Sequence, residues 1–519
     1  MNSVLKASVA SLLLIAPTAA MAQDASKQIQ AMESQLRAMQ SQLEALKTEA
    51  AAQKAALEKE KSTREASEKA AREAALAAGG TLVMEGGRAQ VKPPANPMVT
   101  QSGTNRFTMS SADGQWTIAP TGRIHFDFGA YLNQDPEGVT GPATAAGGKL
   151  SNGVNARRAR VGVTGRAMGD FTYSLILDAG GATDGTAAIN TASIGYTGIP
   201  NTIIEMGYMA QFFTLEEATS SNDIMFIERN SPATIASSFN SGDPRASAGF
   251  RTWEPNWWFG AYLTASTPNV AHALTKRGFG GYARGTYNII NEPLQTLHIG
   301  AGVAHVFDPP NTGPNTAQSF TLSDRPEIRI DPTVLLSTGA LGTVANPVTS
   351  ATVWAGEVAA TSGSLFVQGE YFRYDVARRG KTTANLSGAY AEVGYTIGGR
   401  RGYTANCGCF SGVNPVTPFA PKKGDMGAVE FAARVSYTDL IDEYNSGFLA
   451  AAQPNLVNGG RQVNYTLGVN WYWNSNMLWK FNYIHTAYNK ANPITATNPR
   501  PTPLGVDLDV LAARFQVMF

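Results

Sequence analysis

The chain has 519 residues, with 41 Lys and Arg against 40 Asp and Glu, a balance that excludes a strongly basic nucleic-acid binder. Fifty-two Gly, two Cys and a mean hydropathy of −0.16 exclude a disulfide scaffold and a helical membrane protein, and suit a barrel with many turns. No apolar run of about 18 residues follows the N-terminus, but alternating strands average their hydropathy away, so membrane residence stays open.

Residues 1–22 read as a secretory signal peptide: Lys6, the apolar stretch from Ala7 to Ala16, then Ala20-Met21-Ala22 as the cleavage site. Export places the rest outside the cytoplasm. Residues 23–78 lack Gly and Pro, and their apolar residues recur three and four apart: Ile29, Met32, Leu36, Met39, Leu43, Leu46, Ala50 and Leu57, with one miss at Gln53. This predicts a periplasmic α-helical coiled coil, about 80 Å long if fully helical. The mixed Ile/Leu/Met seam leaves dimer and trimer open, and a rod in that compartment suggests peptidoglycan or a periplasmic protein as a further partner. Gly79-Gly80, Pro93, Pro94 and Pro97 mark a linker over 79–104.

Residues 105–519 carry recurring period-two segments between turn residues, which predict an all-β chain: a 16-stranded antiparallel transmembrane β-barrel behind the coiled coil. The segments are 122–131, 157–166, 171–178, 188–197, 202–209, 246–253, 257–264, 278–288, 296–306, 352–360, 364–374, 387–397, 427–437, 462–473, 477–488 and 510–519. In the last, Leu511, Ala513, Phe515, Val517 and Phe519 share one face, while Arg514 and Gln516 share the other. An Arg on a lipid face at mid-depth costs roughly 2–4 kcal/mol, so Arg514 is placed inward, in a water-filled lumen. Trp471, Trp473 and Trp479 crowd one short turn, as an interfacial girdle does.

Asn474-Ser475 is short enough only for a hairpin, so it is assigned to the periplasmic side. Counting back from it, 439–460, 375–386, 307–351, 265–277, 210–245 and 132–156 become long outer loops. Residues 398–426 break the alternation, being long on the inner side. The loop 210–245 contains Leu215-Glu216-Glu217, a candidate short helix, and Glu228-Arg229. Inward parity falls on Arg123, Arg158, Arg160, Arg166, Arg251, Arg284, Arg434 and Arg514, a candidate graded track for anions, opposed by Asp127, Glu205, Glu392 and Glu430. Guanidinium suits that role because it stays charged and forks onto oxyanions. For any one of these arginines the alternative is a wall charge neutralised by a nearby carboxylate.

No histidine pair has helical ligand spacing, and His298 and His305 have opposite parity, so no metal site, cofactor or catalytic set is assigned. A barrel lipase or protease would need Ser, His and Asp gathered from separate strands, and nothing selects such a set; the chain is read as a non-enzyme. Cys407-Gly408-Cys409 is too sparse for zinc, and leaves a small disulfide or a bridge to a partner open.

Several segments resemble phosphate-selective porins of the O and P type: Arg157-Arg158-Ala159-Arg160-Val161-Gly162-Val163, Ile194-Gly195-Tyr196-Thr197-Gly198, and Phe213-Thr214-Leu215-Glu216-Glu217-Ala218-Thr219-Ser220-Ser221. So do Glu228-Arg229-Asn230, Pro421-Lys422-Lys423-Gly424 and Leu467-Gly468-Val469-Asn470-Trp471-Tyr472, in order across 120–519. The resemblance implies a homotrimer of 16-stranded channels in outer-membrane lipid, preferring small anions, with arginines leading to a constriction. Residue by residue it implies paired constriction arginines at Arg157 and Arg158, although parity turns only Arg158 inward and Arg157 needs a bulge or a rim position. It implies an outer-loop ladder at Arg325 and Arg329. A family carboxylate falls on Asn190, a lysine on Glu217 and a tyrosine on Ala210, departures that weaken a tight phosphate site. The expected function is an anion porin, possible in two forms: phosphate-preferring, or a general or organic-anion pore. A third expectation is an envelope tether acting through the coiled coil.

Overall fold

Strict side-chain alternation closes the chain into one cylinder. The computed structural model describes residues 106–137, 150–181, 187–239, 244–265, 278–311, 316–491, 495 and 504–519, and the backbone of short strands at 81–85, 88–92 and 98–102. The signal peptide, the coiled-coil seam and the outer-loop stretches 138–149 and 266–277 lie outside the described residues. Within the span read as a linker, Thr81–Glu85 pairs with Arg88–Lys92 as a hairpin.

The barrel strands are β1 (Thr117–Glu137), β2 (Gly153–Ala167), β3 (Phe171–Asp178), β4 (Ala188–Tyr196), β5 (Thr202–Met209), β6 (Arg245–Glu254), β7 (Trp257–Ala265) and β8 (Phe279–Glu292). They continue as β9 (Gln295–Asp308), β10 (Val348–Ser362), β11 (Leu365–Arg378), β12 (Ala384–Ile397), β13 (Ala428–Asp442), β14 (Val457–Tyr472), β15 (Met477–Lys490) and β16 (Leu504–Met518). Neighbours pair antiparallel, and β16 returns to β1 to close the barrel. All sixteen segments read from the period-two pattern fall on these strands, in order.

Outward positions form an apolar belt: Tyr465 and Leu467 are 55% and 60% exposed, while the intervening inward Asn464 and Thr466 are each 1% exposed. Apolar outside and polar inside is the pattern of a membrane-spanning barrel. At the short-turn end Trp473, Trp479 and Phe515 pack together, with Trp479 and Phe515 ring centroids 4.8 Å apart.

The lumen is largely filled. Segment 210–244 enters from the long-loop side with helices α1 (Leu215–Ala218) and α2 (Ser231–Ser238). Part of 309–347 joins it there, and 398–427 folds in from the short-turn side, which accounts for the one long inner connection. Phe213, Ile227, Ile235 and Phe239 of the first segment pack with Phe320, Leu322 and Ile328 of the second against inward Phe372 and Tyr374. Wall polar groups pin the inserted backbone. Glu370 accepts from the Leu215 and Glu216 amides at 2.8 and 3.0 Å, Asn482 accepts from the Ile227 amide at 2.8 Å, and Asn470 donates to the Met225 carbonyl at 2.8 Å. Lys480 donates to the Ile224 carbonyl. Inward glycine permits the close approach: a Cβ at Gly394 would lie 2.7 Å from Met225 Sδ.

This filling corrects the expectation of a water-lined arginine track. Arg514 faces inward but is fully buried, and Arg284, Arg434 and Arg251 are bound to Glu357, Glu327 and Glu205 at 2.7, 2.6 and 3.2 Å. The inserted segments exclude water from most of the bore, and a guanidinium there stays charged only with a carboxylate beside it.

An arginine-lined cavity beside the inserted loop

Open space remains to one side of the bore. A cavity of about 460 Å³ separates the β1–β4 wall from segment 210–244, and its lining holds six arginines, Arg123, Arg157, Arg158, Arg160, Arg229 and Arg329, against two carboxylates, Glu217 and Glu228.

The two adjacent arginines reach the same space through a bulge. β1 pairs His125 with Arg158 and Phe126 with Ala156, so Arg157 is the unpaired extra residue. A bulge lets neighbours that would point to opposite faces share one. Arg157 donates to Glu228 through Nε at 2.8 Å and Nη2 at 3.2 Å. Arg158 is buried; its Nη1 lies 3.8 Å from Glu228 and 3.4 Å from His125 Nδ1, while its Nε has no hydrogen-bond acceptor. Arg160 is paired with Asp178 at 2.6 Å, and Arg123 donates to Ser221 Oγ at 2.9 Å.

The loop residues divide. Thr214 caps α1 by accepting from the Glu217 amide at 2.9 Å. The short helix then turns Glu217 toward the cavity, 3.9 Å from Arg245, and Glu216 away from it, where it accepts from Gln368 at 3.0 Å. Glu216 is therefore a packing contact with the β11–β12 wall and not a cavity group. Arg229 lines the cavity but spends its donors on the loop itself, reaching the Glu216 and Thr219 carbonyls at 3.0 and 2.9 Å.

Asn190 lines the cavity, as does Arg329, which is anchored to Asp324 at 2.6 Å. Arg325 stands beside this group, half-buried, and burial together with the nearby Arg329 guanidinium lowers its affinity for a proton. Arg166 is exposed at the short-turn end of β2, away from the cavity lining. Its inward parity places it below the passage, at the rim.

Glu228 was assigned no site role from the sequence, its signals being its place beside Arg229 in the inserted loop and in the resembling segment Glu228-Arg229-Asn230. Burial opposes its ionisation, but Arg157, Arg158, Arg514 and Arg329 overcome that and hold its carboxyl well below the ordinary carboxylate range. Below it, a polar cavity of about 380 Å³ shares Arg123 and Ser220 with the first and runs past Asn222 and Asp223 to Asn476 at the short-turn end.

Beside the passage, the two cysteines form an intrachain disulfide. The turn they close offers the Cys407 and Gly408 carbonyls to Arg284, the first at 3.1 Å and the second at 2.6 Å. Gly408 adopts φ +53°, and a Cβ there would lie 3.0 Å from Thr286 Oγ1.

Residues 121–519 match the family described as phosphate-selective porin O and P. Solved structures with a similar fold include the trimer form of OmpT, an outer-membrane protein of Vibrio cholerae, at 10% identity and TM-score 0.44, covering 78% of this chain and 99% of that one. An anion-selective porin from Comamonas acidovorans aligns at 10% identity and TM-score 0.41, over 78% and 100%. Pseudomonas putida OprB aligns at 8% identity and TM-score 0.44, over 78% and 94%. No curated protein matches the chain. The match spans nearly the whole barrel, from β1 to the last residue: the chain belongs to the phosphate-selective porin O and P family, and is an outer-membrane porin.

Proposed function

We propose that this porin is a passive diffusion channel preferring small anions. The observation that carries the reading is the excess of guanidinium over carboxylate in the cavity between the β1–β4 wall and the inserted loop. A narrow passage lined by Arg in a low-dielectric wall attracts anions and repels cations. The sites we assign to the anion are Arg157, Arg158, Arg160 and Arg329, with Asn190 facing them and Glu217 and Arg229 on the loop side. Arg166 and Arg325 act as rim charges that raise the local anion concentration.

Phosphate is the narrower proposal, supported by family membership and by guanidinium forks that suit its oxygens. The uncharged Asn190 and the acidic Glu217 favour the broader one, a general or organic-anion pore.

We further propose a homotrimer in outer-membrane lipid. Strands β3, β4 and β5 have 8, 9 and 8 residues, against 14 to 16 in β8–β16. Spanning a bilayer takes about 9–11 tilted residues, so these strands sit at the lower limit, and this lowest part of the wall is the face we assign to contact with another copy. The predicted domains, residues 1–22 as signal, 23–78 as periplasmic coiled coil, 79–104 as linker and 105–519 as barrel, remain the proposed organisation, with peptidoglycan or a periplasmic protein as the partner of the rod.

The test is the reversal potential of single channels in a potassium chloride gradient, followed by titration with phosphate. Chloride preference with block by phosphate supports the narrow reading, chloride preference without block the broad one, and potassium preference overturns both.

A further inference from the structure

Glu228 is surrounded by more positive charge than its neighbours need. Arg514 is already matched by Asp127 through two hydrogen bonds of 2.6 and 2.7 Å, and Arg329 by Asp324 at 2.6 Å. Yet Arg514 also donates to Glu228 at 2.7 Å, Arg157 holds it through two bonds, and Arg158 and Arg329 stand 3.8 and 4.0 Å away. The residue borders the cavity, and the Arg157 side chain beyond it is 28% exposed. Its backbone is fastened on both sides, the Ile227 amide to Asn482 and the Glu228 carbonyl to Arg434 at 3.1 Å. The carboxylate is thus an oxyanion that cannot leave. It presents the same two-oxygen edge to the guanidinium forks as a passing phosphate or carboxylate does.

We infer that Glu228 is a tethered counterion that partly occupies the oxyanion site of the pore and competes with the permeating anion, so that the site passes anions instead of retaining them. The inference rests on the reading of this cavity as the anion path. Conduction requires binding weak enough to release the ion. Arg157 and Arg158, freed of Glu228, would meet an incoming oxyanion with their donors unused, and Arg158 Nε already lacks an acceptor. With Glu228 present, an anion gains only the donors it can displace the carboxylate from, and loses them again when the carboxylate returns. Arg514 does not depend on Glu228, being matched by Asp127, so the carboxylate's charge is directed mainly at Arg157 and Arg158 on the cavity side.

The experiment uses the full-length protein in planar bilayers and reads the phosphate concentration that half-saturates conductance and the one that half-blocks chloride current. In Glu228→Gln both are expected to fall by about tenfold or more, because the competing charge is gone while the side-chain shape is kept. Glu228→Asp, which keeps the charge, is expected to stay within about threefold of the parent on the same grounds. Glu228→Cys supplies the check within one channel: a sulfonate-bearing thiol reagent restores the parental values, and a neutral reagent of similar size does not. Parental values in Glu228→Gln, equal shifts in the Gln and Asp variants, or equal effects of the two reagents would each overturn the counterion while leaving the anion path standing. A parent channel that prefers potassium overturns the anion path itself, and the counterion with it.

Discussion

Arg514 and Asp127 meet across the seam where the last strand joins the first, directly opposite in register, with guanidinium and carboxylate joined at 2.6 and 2.7 Å. The pair is fully buried beneath segment 210–244, and the same guanidinium also donates to the Ile227 carbonyl of that segment at 2.5 Å. One side chain therefore bridges the seam of the barrel and docks the loop that narrows it.

Arg514→Met should destabilise the folded barrel by about 3–5 kcal/mol, because Asp127 and Glu228 are left buried without their shared cation. The measurement is the urea midpoint of the refolded barrel, read by tryptophan emission. Adding Asp127→Leu should recover part of the loss, since a buried pair replaced whole by apolar groups costs less than a broken one. A double variant no better than the single would show that the seam does not depend on this pair.

Arg158 and Arg284 both face inward, but only the first lines the passage. Arg158→Ala should lower the chloride-to-potassium permeability ratio by roughly threefold or more. Arg284 is fully buried on Glu357 and the 398–427 segment, so Arg284→Ala should leave that ratio near the parental one and lower stability instead. Reversal potentials of the two variants separate the roles; equal shifts would mean that inward parity alone sets selectivity.

Glu217 faces the cavity where the family resemblance leads one to expect a lysine. Glu217→Lys is expected to raise phosphate affinity by about tenfold, the worth of one additional charge-assisted contact in a narrow pore. Titrating chloride current with phosphate reads it directly. An unchanged blocking concentration would remove Glu217 from the constriction.

The disulfide closes the turn whose carbonyls cap Arg284. Replacing Cys407 and Cys409 together with Ser should loosen segment 398–427, raising open-channel noise and mean conductance with little change in ion preference, because that segment contributes none of the cavity's arginines. Single-channel recordings of parent and variant check this, and the parent treated with a reductant should behave in the same way.

Glu228 should add no pH response of its own between pH 7 and pH 5. Burial raises its carboxyl affinity for protons, and the four surrounding guanidiniums lower it by more, so the folded value lies well below the unfolded one of about 4.3. A depressed carboxyl contributes stability that is complete above the unfolded value and is lost as pH falls through the folded one. From pH 7 to pH 5 Glu228 therefore stays ionised, and the phosphate concentration that blocks the channel should not fall on its account. Measuring block in Glu228→Gln at both values corrects for titration of phosphate itself; a parent that converges on the variant by pH 5 contradicts the depressed value.

Strand identity was written in the chain because a wall with lipid on one side imposes period two on every residue. The pairs Tyr465 and Leu467 against Asn464 and Thr466 show it without any knowledge of neighbours. The bulge at Arg157 was half visible: adjacent arginines cannot both face inward on a regular strand, but where the ladder slips depends on the register with β1. The eight inward arginines were found by parity, and their fates were not. Arg123, Arg158 and Arg160 line the passage, while Arg251, Arg284, Arg434 and Arg514 are bound to carboxylates up to hundreds of residues away in the chain.

The amino-acid order by itself determined that this protein builds a sixteen-stranded wall, which side of each strand is greasy, and which family it resembles. Only the tertiary structure decided what fills the bore. Side-chain periodicity is a local property, sensed two residues at a time. Which loop folds inward, which guanidinium it silences and which it leaves facing water depend on distances between segments that no local pattern records.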